Sequence, residues 1–273
     1  MSRRASTANG SQLLYGHWSV LEAIRAQRRP LEQLLLTEGV EERGKLVEIL
    51  QLARSRGLRI RRIPRNIMDD ITNNARHQHT ALRVGPYPYV ELGHILQKAD
   101  ALGERPLLLI LDLLKDPQNV GVLLRIADSV GVHGIMLQER RSVGITPAVI
   151  SSSSGAAEHL NIARVTNLVQ TMRELREDGI WLVGLDTNDQ LQPLDAVDLN
   201  VPLGLVLGSE GEGMRRLVRE NCDVLATLPM RGRVASLNVA TAGSIALYSA
   251  WNARSWEGWH GTAPRLPAGG KNS

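Results

Sequence analysis

Phenylalanine is absent from the 273 residues, and Phe, Trp and Tyr together make up only 3%. An RNA-binding sheet that stacks bases on paired aromatics is therefore not expected. Cysteine occurs once, at Cys222. That excludes an internal disulfide framework and a cysteine-held zinc or iron–sulfur site, so no metal is expected, and it fits a reducing, cytoplasmic compartment. No stretch approaches the roughly 18 continuous apolar residues of a membrane span, so no membrane partner is expected. The start, MSRRASTANG, has no apolar segment behind it, and no secretory signal is expected. Acidic residues are scarce early on. Residues 1–100 hold 16 Lys or Arg against 10 Asp or Glu, whereas residues 101–273 hold 16 against 18. Nearly all the cations are Arg, whose forked donors suit phosphate, so the first part fits contact with phosphate or RNA, with a merely solvated basic surface as the alternative.

What is present, 43% hydrophobic and 22% charged residues, suits a folded protein of one or two domains. Residues 1–10 carry no pattern and read as disordered. YGHWSVLEAIRAQRRP reads as an amphipathic helix stopped by Pro30, and LEQLLLTEG as a strand and turn. KLVEILQLARSRG is a helix with Gly57 at its end, and LRIRRIP and HTALRVGPY are strands. These elements predict a small α/β domain over 11–85. A proline-bearing linker with one short helix follows over 86–105. Residues 106–252 then alternate strands (LLLILDLL, HGIMLQ, IARV, IWLVGLD, LGLVLGSE, DVLATLPM) with helices. That alternation predicts a mostly parallel sheet covered on both faces. Residues 253–273 read as a flexible tail.

Three loops follow strands in the second domain, where open α/β sheets place their ligands. The first leads into NVGVLLR. Asn119 suits a helix cap, and Arg125 lies beside the apolar positions Val122, Leu123, Ile126 and Val130. The second, LVLGSEGEGM, carries Gly208, Gly211 and Gly213 around Ser209, Glu210 and Glu212. Its glycines permit close backbone approach to a ligand, whereas Glu210 could simply favour the next helix start. It is neither a Walker A loop nor a GxGxxG turn, so a nucleoside triphosphatase or nicotinamide-dependent enzyme is poorly supported. The third, LPMRGRVASLNVATAGSIALYSA, places Ser236 and Asn238 before a helix over 236–250 rich in small residues. Ser236 is either its N-cap or part of a binding loop.

In that order the three stretches resemble the motifs of the SpoU-type, TrmH-like RNA 2′-O-methyltransferases. YGHWSVLEAI resembles the start of the substrate-binding domain in the 23S rRNA guanosine-2′-O-methyltransferase branch. SSSSGAAEHLNIARVTNL resembles the segment between the first two motifs. The similarity spans roughly residues 13–252. It departs from the family at SLNVATA, where SLNVSVA is common, and keeps Ser236 and Asn238. The resemblance implies a trefoil-knotted catalytic domain, S-adenosyl-L-methionine as cofactor, and a homodimer acting on RNA. The RNA implied is 23S rRNA, with tRNA as an alternative; a non-catalytic RNA-binding or ribosome-assembly protein is the rival reading. It implies catalytic roles for Asn119, Arg125, Glu210, Ser236 and Asn238. It also implies cofactor contacts from Leu207, Gly208, Ser209, Gly211, Leu228, Met230, Ser236, Leu237 and Asn238. For Arg125 two roles stay open: proton acceptor, or holder of phosphate and developing negative charge.

Overall fold

The computed structural model describes residues 10–188, 190–234 and 236–259. A four-stranded sheet opens the chain. Its elements are β1 (Gln12–Tyr15), α1 (His17–Ala26), β2 (Leu31–Thr37), α2 (Lys45–Ser55), β3 (Ile60–Ile63), α3 (Arg65–Ile71) and β4 (Thr80–Val84). The strand order is β1-β4-β2-β3, with β2 and β3 parallel and the other pairs antiparallel. Leu21, Ile24, Ile49 and Leu50 from α1 and α2 pack on Leu34, Leu36 and Leu82 of the sheet. The single helix expected from Tyr15 onward in fact begins at His17, after strand β1. Gly16 separates the two at φ 84°, a conformation that suits glycine and breaks the chain sharply. Helix α3 has seven residues and buries only Met68, so it leaves no helical period to detect.

Helix α4 (Leu92–Leu102) lies in the expected linker, whose apolar residues are packed. Ile95 is fully buried and sits where a side chain on Gly134 would collide with it, at 2.3 Å. The Tyr87 hydroxyl donates to the Ala157 carbonyl at 2.6 Å.

The larger sheet contains β5 (Leu107–Leu111), β6 (Gly134–Gln138), β7 (Ile162–Val165), β8 (Trp181–Leu185), β9 (Gln192–Pro193), β10 (Leu203–Leu207) and β11 (Val224–Thr227). Their order is β7-β6-β5-β10-β8-β11-β9, and every pair is parallel. The helices are α5 (Pro117–Ser129), α6 (Pro147–Ser152), α7 (Leu168–Glu177), α8 (Arg216–Glu220) and α9 (Val239–Ala253). The central strands are buried on both faces, as their unbroken apolar runs require. Strand β10 enters between β5 and β8, so the order reverses there and a crevice opens at the carboxyl ends.

Two caps differ from expectation. Asp116, not Asn119, caps α5, accepting from the Gln118 N–H at 3.0 Å, with Pro117 at the first helical position. Asn238, not Ser236, caps α9, accepting from the N–H groups of Ala240 at 2.8 Å and Thr241 at 3.3 Å. Both shifts free a polar side chain for the crevice. Helix α9 also runs three residues past Ala250. Residues 254–259 turn back on it: Trp251 Nε1 donates to the Glu257 carbonyl at 2.8 Å, and the buried Arg254 donates to the Pro106 and Val201 carbonyls. The remainder of the expected flexible tail, 260–273, and residues 1–9 of the expected disordered start lie outside the described residues.

A buried ion pair joins the two sheets' units. Arg29 and Glu158 side chains are each 1% exposed and hydrogen-bonded to one another. Arg29 also donates to Gln12 Oε1 at 2.7 Å and the Gly85 carbonyl at 3.2 Å, and its guanidinium lies over the Tyr87 ring. Burial raises the Glu158 carboxyl pKa, and Arg29 opposes that rise. Arg29→Met leaves this carboxylate buried and uncompensated, so unfolding free energy at pH 7 should fall by about 3–5 kcal/mol. Without Arg29 the folded-state pKa rises further above the unfolded value, so ionised Glu158 is penalised only above the unfolded pKa. The deficit should therefore shrink as pH is lowered from 7 toward 5. Urea unfolding of parent and variant across that range measures it.

Candidate active site

A cavity of about 390 Å³ occupies the crevice beside β10. It is built from loops at the carboxyl ends of β8, β10 and β11 and from the start of α9. Leu207, Gly208, Ser209, Gly211, Leu228, Met230, Ser236, Leu237 and Asn238 all line it, and so does Glu210. Leu185, Asp186, Thr187, Thr227 and Ala242 line it as well and were not expected. The signal for the Asp186 group is the rule applied to the other loops: IWLVGLD is a strand ending at an aspartate. Asp186 is otherwise committed, pairing with Arg219 at 3.0 Å and accepting from the Thr187 N–H at 2.7 Å.

The loop after β10 doubles back on itself. Ser209 and Gly213 exchange two backbone hydrogen bonds, each 3.0 Å. A Cβ on Gly208 would lie 2.2 Å from the Gly213 carbonyl carbon and the Met214 nitrogen, so only glycine fits. Gly211 and Gly213 hold φ of 80° and 67°, the left-handed region. Glu210 is thereby lifted to the crevice and does not cap α8, which begins at Arg216 without a side-chain cap.

Asn119 links the first loop to the other two. Its Nδ2 donates to Glu210 Oε1, and its Oδ1 accepts from Asn238 Nδ2 at 3.0 Å. Asn238 uses its own Oδ1 to cap α9, so both ends of its amide are engaged. Three of the five expected catalytic residues thus form one chain of hydrogen bonds. Ser236 lines the cavity next to that chain. Arg125 stands apart from it, exposed on α5, and its Nη1 donates to Ser154 Oγ at 3.1 Å. Close packing brings the α5 and α6 segments together: a Cβ on Gly121 would lie 2.3 Å from Ser152 Cβ. Behind the crevice, burial and neighbouring Asp223 push the Cys222 thiol up to about 12, which makes it an inert packing group, not a nucleophile. Among the described residues no group of three or more His, Cys, Asp or Glu could hold a metal ion, and no helix is long and apolar enough to cross a membrane.

This arrangement coincides with known sequences. A family model described as "SpoU rRNA Methylase family" matches residues 106–248, and one described as "RNA 2'-O ribose methyltransferase substrate binding" matches residues 13–90. YacO of Bacillus subtilis, assigned by name to the TrmH family of tRNA/rRNA methyltransferases, is 41% identical over 239 residues, covering 88% of this chain and 94% of its own. A TrmH family protein of Staphylococcus saprophyticus is 36% identical over 246 residues, covering 90% of this chain and 97% of its own. The crystal structure of the SpoU methyltransferase AviRb from Streptomyces viridochromogenes, in complex with AdoMet, superimposes with a TM-score of 0.75 at 25% identity, covering 93% of this chain and 95% of that one. The chain belongs to the SpoU rRNA methylase family.

The loop after β10 is pinned from below. Asp112, fully buried at the end of β5, accepts from the Arg215 backbone N–H and from its Nε, both at 2.8 Å. Arg215→Ala removes the charged side-chain donors and leaves the buried carboxylate with the backbone N–H of residue 215. It should cost about 2 kcal/mol, the scale of a hydrogen bond to a charged group. Amide exchange at Gly211–Met214 should quicken more than exchange elsewhere, as measured by hydrogen–deuterium mass spectrometry.

Proposed function

We propose that the protein transfers a methyl group from S-adenosyl-L-methionine to the ribose 2′-hydroxyl of an RNA guanosine, with 23S rRNA as substrate and tRNA as the alternative. The supporting observation is the hydrogen-bonded chain Glu210–Asn119–Asn238 at the mouth of a cavity formed by the family's three motif loops. The cavity falls within the range of about 300–1,000 Å³ typical of cofactor sites. Its walls combine Leu207, Leu228 and Met230 with the close-approach backbone at Gly208, a lining that fits an adenosine and an apolar methionine chain. Leu207, Gly208, Ser209, Gly211, Leu228, Met230, Ser236, Leu237 and Asn238 would hold it. When bound, it supplies an electrophilic methyl group on a positively charged sulfur.

The chain's residues must orient an incoming 2′-hydroxyl and stabilise its oxygen as the proton leaves. Arg125 is the cation suited to this. A guanidinium does not give up its proton in proteins, so a standing proton-acceptor role is disfavoured. It holds a substrate phosphate through its fork and offsets negative charge on the oxygen. Exchange of its single bond to Ser154 for a phosphate leaves all other contacts of α5 in place. Asn119 and Asn238 fix the loops relative to one another, Glu210 orients Asn119, and Ser236 offers a hydroxyl beside the cavity.

The division of labour follows the charge. Residues 11–85 form the RNA-binding domain, 86–105 the linker and 106–252 the knotted catalytic domain. The knot is what the family resemblance implies; helix α9 packs closely between α5 and β10, where a Cβ on Gly243 would lie 2.5 Å from both the Leu123 and Leu207 side chains. Exposed Val122 on α5 with Ile245 and Tyr248 on α9 supports a homodimer through these helices. The reducing compartment implied by a lone cysteine supports a cytoplasmic location.

Calorimetric titration should give binding of S-adenosyl-L-methionine in preference to NAD. Binding of NAD alone contradicts the reading. In single-turnover transfer at saturating RNA, Arg125→Ala should lower the rate at least about 10²-fold with cofactor affinity nearly intact. Arg125→Lys should recover little, because lysine keeps the charge and loses the fork. A rate for Arg125→Ala within about threefold of the parent removes Arg125 from the site.

A further inference from the structure

The segment RSRGLRIRRIPR, residues 54–65, contains six arginines and no acidic residue. It comprises the end of α2, all of β3 and the first residue of α3. Strand β3 lies at the edge of its sheet, and all six arginines are exposed. Arg54 and Arg62 approach Glu42, and Arg65 approaches Asp69 at 3.8 Å. Arg59 and Arg61 have no acidic partner among the described residues. A row of like charges on an edge strand repels neighbouring strands and also presents successive forked donors along an extended line.

The row ends at a second cavity, of about 660 Å³, far along the chain from the catalytic crevice. Arg65 lines it, with Arg43, His17, His79, Thr37 and Glu38. Glu41 and Gln78 complete its polar rim. Thr37 is only 4% exposed, and its hydroxyl has no hydrogen-bond partner; His79 Nδ1 is likewise buried without one. Such groups cost free energy until a partner arrives, and this pair sits at a cavity wall. Gln78 and His79 hold φ of 50° and 64°, strained for side chains of their size. Helix α1 begins at this cavity with His17, and the first turn of α2 reaches it through Leu46; neither helix has a side-chain cap. Two carboxylates on the rim argue against a simple anion site. Arginines for a phosphate, carboxylates for an exocyclic base amine and a hydroxyl for a base edge together match a nucleotide.

We infer that a single-stranded stretch of the RNA substrate runs along the arginine row of β3 and delivers one unstacked nucleotide into the cavity at Thr37 and His79. This rests on the reading of the protein as an RNA-modifying enzyme and names where that RNA is gripped. The Thr37 and His79 side chains turn toward the base as it enters and gain the partners they lack.

The experiment uses the full chain and a 20-nucleotide single-stranded RNA, with binding followed by fluorescence anisotropy in rising salt. Arg59→Gln/Arg61→Gln/Arg62→Gln should weaken binding at least tenfold. It should also flatten the slope of log affinity against log salt by about 2, at roughly 0.7 per lost phosphate contact. A control with Arg140, Arg141 and Arg216 changed to Gln should bind within threefold of the parent. Equal losses in both triple variants overturn the assigned track. Thr37→Val should weaken RNA binding at least fivefold while leaving the melting temperature unchanged or higher, because the lost hydroxyl had no partner, and Thr37→Ser should restore affinity. A Thr37→Val protein that binds like the parent overturns the nucleotide pocket. Ultraviolet cross-linking of the parent should map to His17, residues 37–46 or residues 65–79, and cross-links found only elsewhere overturn the pocket too. None of these readouts needs methyl transfer. Failure of the parent to transfer methyl groups from S-adenosyl-L-methionine would count against the proposed function alone.

Discussion

Asp112 is fully buried and ionisable, and the active-site loops are arranged around satisfying it. A carboxylate removed from water needs charged or hydrogen-bonding partners of good geometry. It finds them in Arg215, whose backbone and guanidinium both reach it and whose Nη2 also donates to Gln138 Oε1 at 2.7 Å. One arginine thereby ties the ends of β5 and β6 to the loop after β10. The strand switch opens the crevice, and this clamp fixes the height of the glycine loop above it. Glu210 then meets Asn119 because both ends of the span are held: Asn119 on α5, which follows β5, and Glu210 on the loop that Asp112 anchors.

The hydrogen-bonded chain from Glu210 through Asn119 to Asn238 extends the clamp to the third loop. Asn238 does two things with one amide. Its oxygen caps α9, and its nitrogen reports to Asn119. A serine could cap the helix equally well but has no second arm to span the gap. This is a physical reason for asparagine at 238, and it leaves Ser236 uncommitted to the cap beside the cavity.

The three motif loops were legible because glycine and short polar residues interrupt apolar strands, and such punctuation is local. The nine residues that the family resemblance implied as cofactor contacts lie on those loops, and all nine line the cavity. What stayed hidden depends on long-range contact. Asp112 and Arg215 are 103 residues apart, and Arg29 and Glu158 are 129 apart. Nothing around Asp112 in LLLILDLL marks it as buried with a partner. Cap positions were misplaced by two or three residues because Asp116 and Asn119, or Ser236 and Asn238, are equally good caps by residue type, and only the backbone dihedrals choose. Strand β1 was missed, and its last residue, Tyr15, was read as the start of a helix, because four residues are too few to show an alternation and an amphipathic run follows Gly16.

Arg125 is the one expected catalytic residue that neither joins the bonded chain nor lines the cavity. Its neighbours explain why that is compatible with function. Gly121, one turn earlier on α5, lets the Ser152 segment approach so closely that Arg125 and Ser154 meet. A hydroxyl is a weak anchor for a guanidinium, and four of its five donors remain for another acceptor. Arg215 and Arg29 are held against carboxylates and Arg254 against backbone carbonyls, whereas Arg125 is exposed and meets a single hydroxyl. An arginine steadied by a neutral hydroxyl keeps its charge, and a planar, forked cation of this kind is suited to a phosphate.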